Sequence, residues 1–386
     1  MLTTIQTLPW LRILKVLLAN VVLGLLLFET LPRLFDLPGL TLEELDPGRT
    51  EQVEERRTMP HPYLGYALRP GWKSRADRKE QASHNLLGFR GPEPTIPKPK
   101  GVFRVLCLGG SSTYGAGPTS DDSTYPARLE FHLNEMTGAK VEVVNLGVKG
   151  WTSTESLINL CLRGVELEPD LVLVYHATND ALAALWPEPK WDQSHYRRVW
   201  TEPGESALES LLERSRTYLI ARAYLTDFLD QRLALNLYTV VGARSDYHEP
   251  DFDRDIPRRG VQTFARNLKQ IAIISQSHGS KVIFIRQAFN PEEGLDTSAH
   301  GGVVRKRAID LLLTEQNRVA TKLAIPVIDA AYTLQNRAKK DLEESGRQRV
   351  FTNNVHLTNR GADFLANFVA NAILQRKLTR LTEQAR

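Results

Sequence analysis

The chain is 386 residues long, enough for one large domain with appendages, and 42% hydrophobic with 24% charged residues is ordinary globular composition that excludes a disordered or fibrous chain. The formal charge of +4 comes from 49 basic and 45 acidic residues spread along the sequence, without the dense basic stripe that nucleic-acid binding needs, so no nucleic-acid partner is expected. Cys107 and Cys161 have no metal-like spacing and read as small core residues.

Residues 16–28 are uncharged and leucine-rich, with Arg12 and Lys15 before them and Glu29 and Arg33 after. The run falls short of the roughly 20 residues a span needs, but snorkelling of the basic side chains extends it toward Leu8 and Leu31. No small-residue cleavage site follows, which favours an uncleaved signal-anchor over a removed signal peptide. The bias of Arg12 and Lys15 before the span against Glu43, Glu44 and Asp46 after it puts the N-terminus in the cytoplasm. A single-pass membrane protein with its main domain outside, on the periplasmic side in a bacterium, is expected. The boundaries read as an anchor at 1–36, an extracytoplasmic lead-in at 37–100 and a main domain at 101–386.

The lead-in is polar with scattered aromatics and predicts short strands or hairpins, while the alternating prolines from Pro92 to Pro99 read as a semi-rigid linker. The apolar run 102–108 is typical of a buried parallel strand and breaks at Gly109 and Gly110, delivering Ser111 and Ser112 to the rim of a sheet. An ordinary strand-to-helix turn, with Ser112 capping the helix, fits the same stretch. Gly110 and Gly115 have the spacing of a phosphate loop, but Ala116 and Gly117 stand where Lys and Ser or Thr are required. A helix near 125–136, a strand at 141–145, a helix at 154–162 and a strand at 171–175 then alternate, which predicts a parallel sheet with helices on both faces.

An insert at about 181–261 interrupts the alternation; with a helical portion at 207–235, it reads as a lid or substrate-shaping element, or as a structural excursion. Strands at 281–285 and 326–329 complete the sheet. Phe364, Phe368 and Ile373 fall at helical spacing and predict a closing helix with these residues toward the core.

Four stretches just past strand ends or on polar loops follow in order: 104–115 with Ser111, 145–153 with Gly150, 175–180 with Asn179, and 351–358 with His356. Together they resemble the SGNH (GDSL-type) hydrolase family, over about residues 102–375. The resemblance implies a flavodoxin-like three-layer α/β/α fold with a parallel sheet of about five strands, preceded here by the N-terminal transmembrane helix. It implies Ser111 as nucleophile, His356 as general base, and the Ser111 N–H, the Gly150 N–H and the Asn179 side chain as an oxyanion hole. No metal or cofactor is implied.

Three positions depart from the family pattern: Gly110 replaces an aspartate, Ala177 a glycine, and Asn353 the aspartate that orients the histidine. A carboxamide oxygen can still accept the Nδ1 proton, but it cannot stabilise imidazolium by charge. His176 is a rival base that also suits a satisfied core position.

The expected activity is that of a serine esterase or O-acyltransferase on O-acyl groups of an envelope carbohydrate, since the lead-in also resembles that of membrane-anchored SGNH-like proteins of bacterial envelope polysaccharide systems. A catalytically weak scaffold that binds a glycan or membrane partner, and a lipase or thioesterase, are the alternatives.

Overall fold

A computed structural model describes residues 9–35, 57–185, 190–193, 211–212, 214–221, 225, 256–290, 300–347 and 349–377. The chain divides into two compact units: Met1–Arg56 with Val199–Ala243, and Arg57–Arg198 with Arg244–Arg386. In the first, helix α1 (Pro9–Phe35) contains a 23-residue stretch, Ile13–Phe35, long and apolar enough to cross a membrane. The insert expected at 181–261 lies largely outside the described residues; 211–212, 216–221 and 225 are helical.

The second unit begins with an antiparallel hairpin, β1 (Thr58–His61) and β2 (Gly65–Leu68). Five parallel strands follow: β3 (Val102–Gly109), β4 (Lys140–Asn145), β5 (Leu171–Tyr175), β6 (Lys281–Ile285) and β7 (Val327–Ile328). Their order β4-β3-β5-β6-β7 is the flavodoxin-like one, and the chain reverses direction across the sheet between β3 and β5.

The helices are α2 (Ser111–Tyr114), α3 (Tyr125–Thr137), α4 (Ser153–Asn159), α5 (Thr178–Leu185), α6 (Arg258–Ser277), α7 (His300–Leu323), α8 (Ala330–Ser345) and α9 (Asn359–Gln375). Alternate strand residues divide into two cores. Leu106, Leu108, Val172, Val174 and Phe284 pack with Phe264 and Leu268 of α6 and Ile309 and Leu312 of α7. Val105, Cys107, Leu171, Leu173 and Ile283 pack with Leu129 of α3, Leu334 of α8 and Leu365 and Val369 of α9. Every central strand is thus covered on both faces, which is why these strands read as unbroken apolar runs.

Three expectations change on contact with the fold. Cys161 is exposed, not a core residue. The helix expected through 162 ends at Asn159 and continues as a wider turn over Leu160–Gly164, which keeps Leu160 inside and turns Cys161 out. On α9 the centre of the core face is Leu365, Val369 and Ile373, while Phe364 and Phe368 flank it half-buried. Ala362, Ala366 and Ala370 are small enough to bring the helix close, and the bulkier phenylalanines sit beside that contact.

Residues 92–100, which carry the spacing of a linker, are strapped to the sheet by side chains. The fully buried Arg104 donates to Thr95 O at 2.6 Å and Leu167 O at 2.6 Å and pairs with Glu142 at 2.5 Å. Lys98 meets Asp170 at 2.9 Å. Proline excludes this segment from a ladder, but not from docking through carbonyls.

Candidate active site

The sheet's switch point gathers the functional candidates. β3 ends at Gly109, Gly110 caps the one-turn helix α2, and Ser111 opens that helix half-buried. An added Cβ at Gly110 would lie 2.6 Å from Asn179 Nδ2 and 3.1 Å from Trp151 O, so the absence of a side chain lets Asn179 come up beside the serine. Asn179, at the start of α5, donates one amide hydrogen to Trp151 O at 2.8 Å and keeps a second for a ligand.

Gly150 sits in the loop after β4 with φ +82°, a conformation only glycine takes freely, and an added Cβ would meet the Tyr66 hydroxyl at 2.5 Å. That hydroxyl donates to Lys149 O at 2.7 Å, and the Trp151 indole donates to Tyr66 O at 3.2 Å. The lead-in hairpin is therefore part of the wall that shapes the Gly150 loop.

His356 reaches the site from a turn closed by the Thr352 N–H to His356 O bond at 2.8 Å and the Thr358 N–H to Val350 O bond at 2.9 Å. Its Nε2 lies 2.8 Å from Ser111 Oγ. Asn353 Oδ1 accepts two backbone N–H groups, from Val355 at 3.0 Å and His356 at 2.9 Å, and its Nδ2 lies 2.9 Å from His356 Nδ1. Two donors converging on Oδ1 fix which end of the amide faces them, so Nδ2 is the atom turned to the ring. An NH2 group there makes Nδ1 the acceptor and places the neutral ring's proton on Nε2, pointing at Ser111. That is the opposite tautomer from the one a base needs.

Burial, then the positive charges of Lys149 and Arg305, lower His356 to a pKa of about 4, against the opposing pull of Glu80. The ring is thus neutral at ordinary pH. Lys149 is itself lowered to about 8, mainly by burial, and pairs with Glu80 at 3.1 Å.

The other candidates are brought elsewhere. His176 is buried, with Nε2 2.8 Å from Ser156 Oγ and Nδ1 3.5 Å from Asp180, and burial lowers it to about 3; it faces the packing between α4 and α5. Ser112 does not cap α2 but donates to Val355 O at 3.1 Å, tying the helix to the histidine loop.

Two further residues complete the frame: Gln287, which has no sequence signal, and Asp180, which closes the 175–180 stretch without an assigned role. Gln287, just past β6, donates to Ser112 Oγ at 3.2 Å and accepts the Thr178 N–H at 2.8 Å, bridging α2 and α5. Asp180 accepts Ser153 N–H at 3.0 Å and Ser153 Oγ–H at 2.5 Å, locking α5 to α4, and burial raises it to about 7. Among the described residues, no group of three His, Cys, Asp or Glu side chains is arranged to hold a metal ion.

Two of the solved structures to which the chain is similar are hydrolases. The lipase/acylhydrolase from Enterococcus faecalis superposes with a TM-score of 0.42 at 17% identity, over 71% of this chain and 96% of that one. A catalytic mutant of an acetylxylan esterase from Geobacillus stearothermophilus gives 0.42 at 13% identity, over 70% and 94%. A search of curated proteins finds no match. A family profile, that of the GDSL-like lipase/acylhydrolase family, matches residues 107–364, more than half of the sequence. The chain therefore belongs to that family and is an enzyme acting on ester bonds.

Proposed function

We propose that the protein is a membrane-anchored esterase that transfers acyl groups through Ser111, with its catalytic domain outside the membrane and O-acylated carbohydrate as substrate. The observation that carries the proposal is the 2.8 Å approach of Ser111 Oγ to His356 Nε2, with Asn179 beside the same turn. Ser111 Oγ attacks the acyl carbon as its proton passes to Nε2. The oxyanion lies against the Ser111 N–H, left without an intrahelical partner at the first turn of α2, the Gly150 N–H and the Asn179 amide. The proton on Nε2 then goes to the departing alcohol, and water or a sugar hydroxyl resolves the acyl-enzyme by the same relay.

Asn353 sets the pace. The relay needs Nε2 unprotonated, whereas the amide as held favours a proton there, so turnover draws on the minor tautomer and the enzyme is slow. In chymotrypsin, replacing the orienting Asp with Asn costs about 10⁴ in kcat.

The charged side chains Lys149, Arg305 and Glu80, near enough to act on His356, favour a hydrophilic ester over a lipid. The division into an anchor at 1–36, a lead-in at 37–100 and a hydrolase domain at 101–386 accompanies this reading. A fluorophosphonate probe tests it: the adduct should map to Ser111, and Ser111→Ala should abolish both labelling and aryl acetate hydrolysis. Labelling at another serine, or hydrolysis that survives in Ser111→Ala, would refute the assignment.

A further inference from the structure

Glu29 is an acidic residue inside the apolar stretch of α1, where a carboxylate without partners is costly. Its partners come from the insert. Ser215 Oγ–H and the Thr217 N–H donate to Glu29 Oε2 at 2.8 and 2.9 Å, and Arg33 pairs with Oε1. Arg33 also donates to Arg214 O at 2.6 Å, and Thr217 Oγ1 lies 3.4 Å from Leu25 O, one turn deeper along α1. Ser215 in turn accepts the Tyr218 N–H at 3.1 Å, so the helical turn that follows starts at the Glu29 carboxylate.

A helix of 23 residues is about 35 Å long against a hydrocarbon core of about 30 Å, which leaves Glu29, about 9 Å from the outer end, in the outer part of the core. Leu211 and Leu225, on either side of the tethered turn, are 60% and 57% exposed, and Leu25 and Phe28 on α1 are exposed as well. Exposed apolar side chains of the insert thus flank the turn that is tied to the anchor at Glu29.

We infer that the insert, at residues 211–212, 214–221 and 225, is a second membrane-contacting element, held against α1 by Glu29 and resting its leucines in the outer interface of the lipid bilayer. This rests on the reading of α1 as a membrane span. It makes the insert part of the anchor, so the catalytic unit is joined to the membrane by the insert as well as by the N-terminal segment.

The full-length chain reconstituted in vesicles containing nitroxide-labelled lipid tests this. A Cys161→Ser background suits it, since Cys107 is buried with its thiol pushed up to about 12 and does not label. An environment-sensitive fluorophore is placed in turn at Val22→Cys, Leu211→Cys, Leu225→Cys and Leu86→Cys, the last 77% exposed in the hydrolase unit. Quenching is expected at 22, 211 and 225 but not at 86, and adding Glu29→Ala should release 225 while 22 stays quenched. Quenching at 22 with 211 and 225 at the level of 86 would overturn the inference and leave the anchor standing. No quenching at 22 would overturn both. Quenching at 225 unchanged by Glu29→Ala would overturn the tether.

Discussion

At Gly110 the space a side chain would need is already taken by Asn179 and the Trp151 carbonyl. Gly110→Ala should push the amide off the oxyanion and lower kcat for an aryl acetate by roughly 10- to 100-fold with little change in KM, since a displaced donor costs somewhat less than a deleted one. Steady-state kinetics on the pair Gly110→Ala and Asn179→Ala checks this, because the two changes act on one donor and should not add. Lys149 acts at a distance. Its charge helps to hold His356 at about 4, so Lys149→Gln should raise that pKa and move the acidic limb of the rate profile to higher pH. An unmoved limb would remove Lys149 from the electrostatics of the base.

Among the elements, α2 and α5 are joined by Gln287, which serves the Ser112 hydroxyl with one end of its amide and the Thr178 N–H with the other. Gln287→Leu strands the buried Thr178 N–H and leaves the Ser112 hydroxyl with only its bond to Val355 O, and a loss of about 1–3 kcal/mol in stability with a lower kcat at unchanged KM is expected from denaturant melts and kinetics. Nothing in the sequence marks this glutamine, because its role exists only once β6 has placed it between two loops. The strands were legible for the opposite reason: β3, β5 and β6 are buried on both faces, so their apolar runs announce themselves without knowledge of partners. Ser111, Asn179 and His356 could be picked out by type and order, and the structure brings Asn179 and His356 to Ser111. What Asn353 does could not be read, because the amide's orientation is set by the Val355 and His356 N–H groups, a matter of backbone geometry. The exposure of Cys161 and the docking of segment 92–100 were illegible for a similar reason: a wider turn rotates one outward, and the buried Arg104 holds the other to the sheet.

At the scale of the whole molecule, burial leaves several histidines neutral in the fold. His84 and His356 are lowered to about 4 and His176 to about 3, chiefly by burial. Below their ordinary value of 6.5 the unfolded chain takes up protons that the folded one refuses, so stability present above 6.5 drains away as pH falls toward 4. Asp180, raised to about 7, and Glu130, raised by burial as well, work in the other direction, because the fold holds their protons, but these two carboxyls stand against four lowered imidazoles, His61 included. The midpoint of the hydrolase unit's thermal transition should fall by at least about 5 °C between pH 6.5 and 4.5, as calorimetry on the full-length protein in detergent can read. A midpoint that rises over that range would mean these rings are solvated and protonated in the fold.

The most direct measurement is the pH dependence of kcat/KM for an activated ester in Asn353→Asp beside the native enzyme. A carboxylate can accept both backbone N–H groups and the Nδ1 proton, which turns the lone pair of Nε2 toward Ser111 and stabilises the imidazolium formed during attack. The account predicts a rise of roughly tenfold or more, about 1.4 kcal/mol of barrier, with the acidic limb moved from near pH 4 to higher pH because the new charge favours the protonated ring. An unchanged rate and limb in Asn353→Asp, with activity lost in His356→Ala, would contradict it by showing that the native ring already holds the productive tautomer.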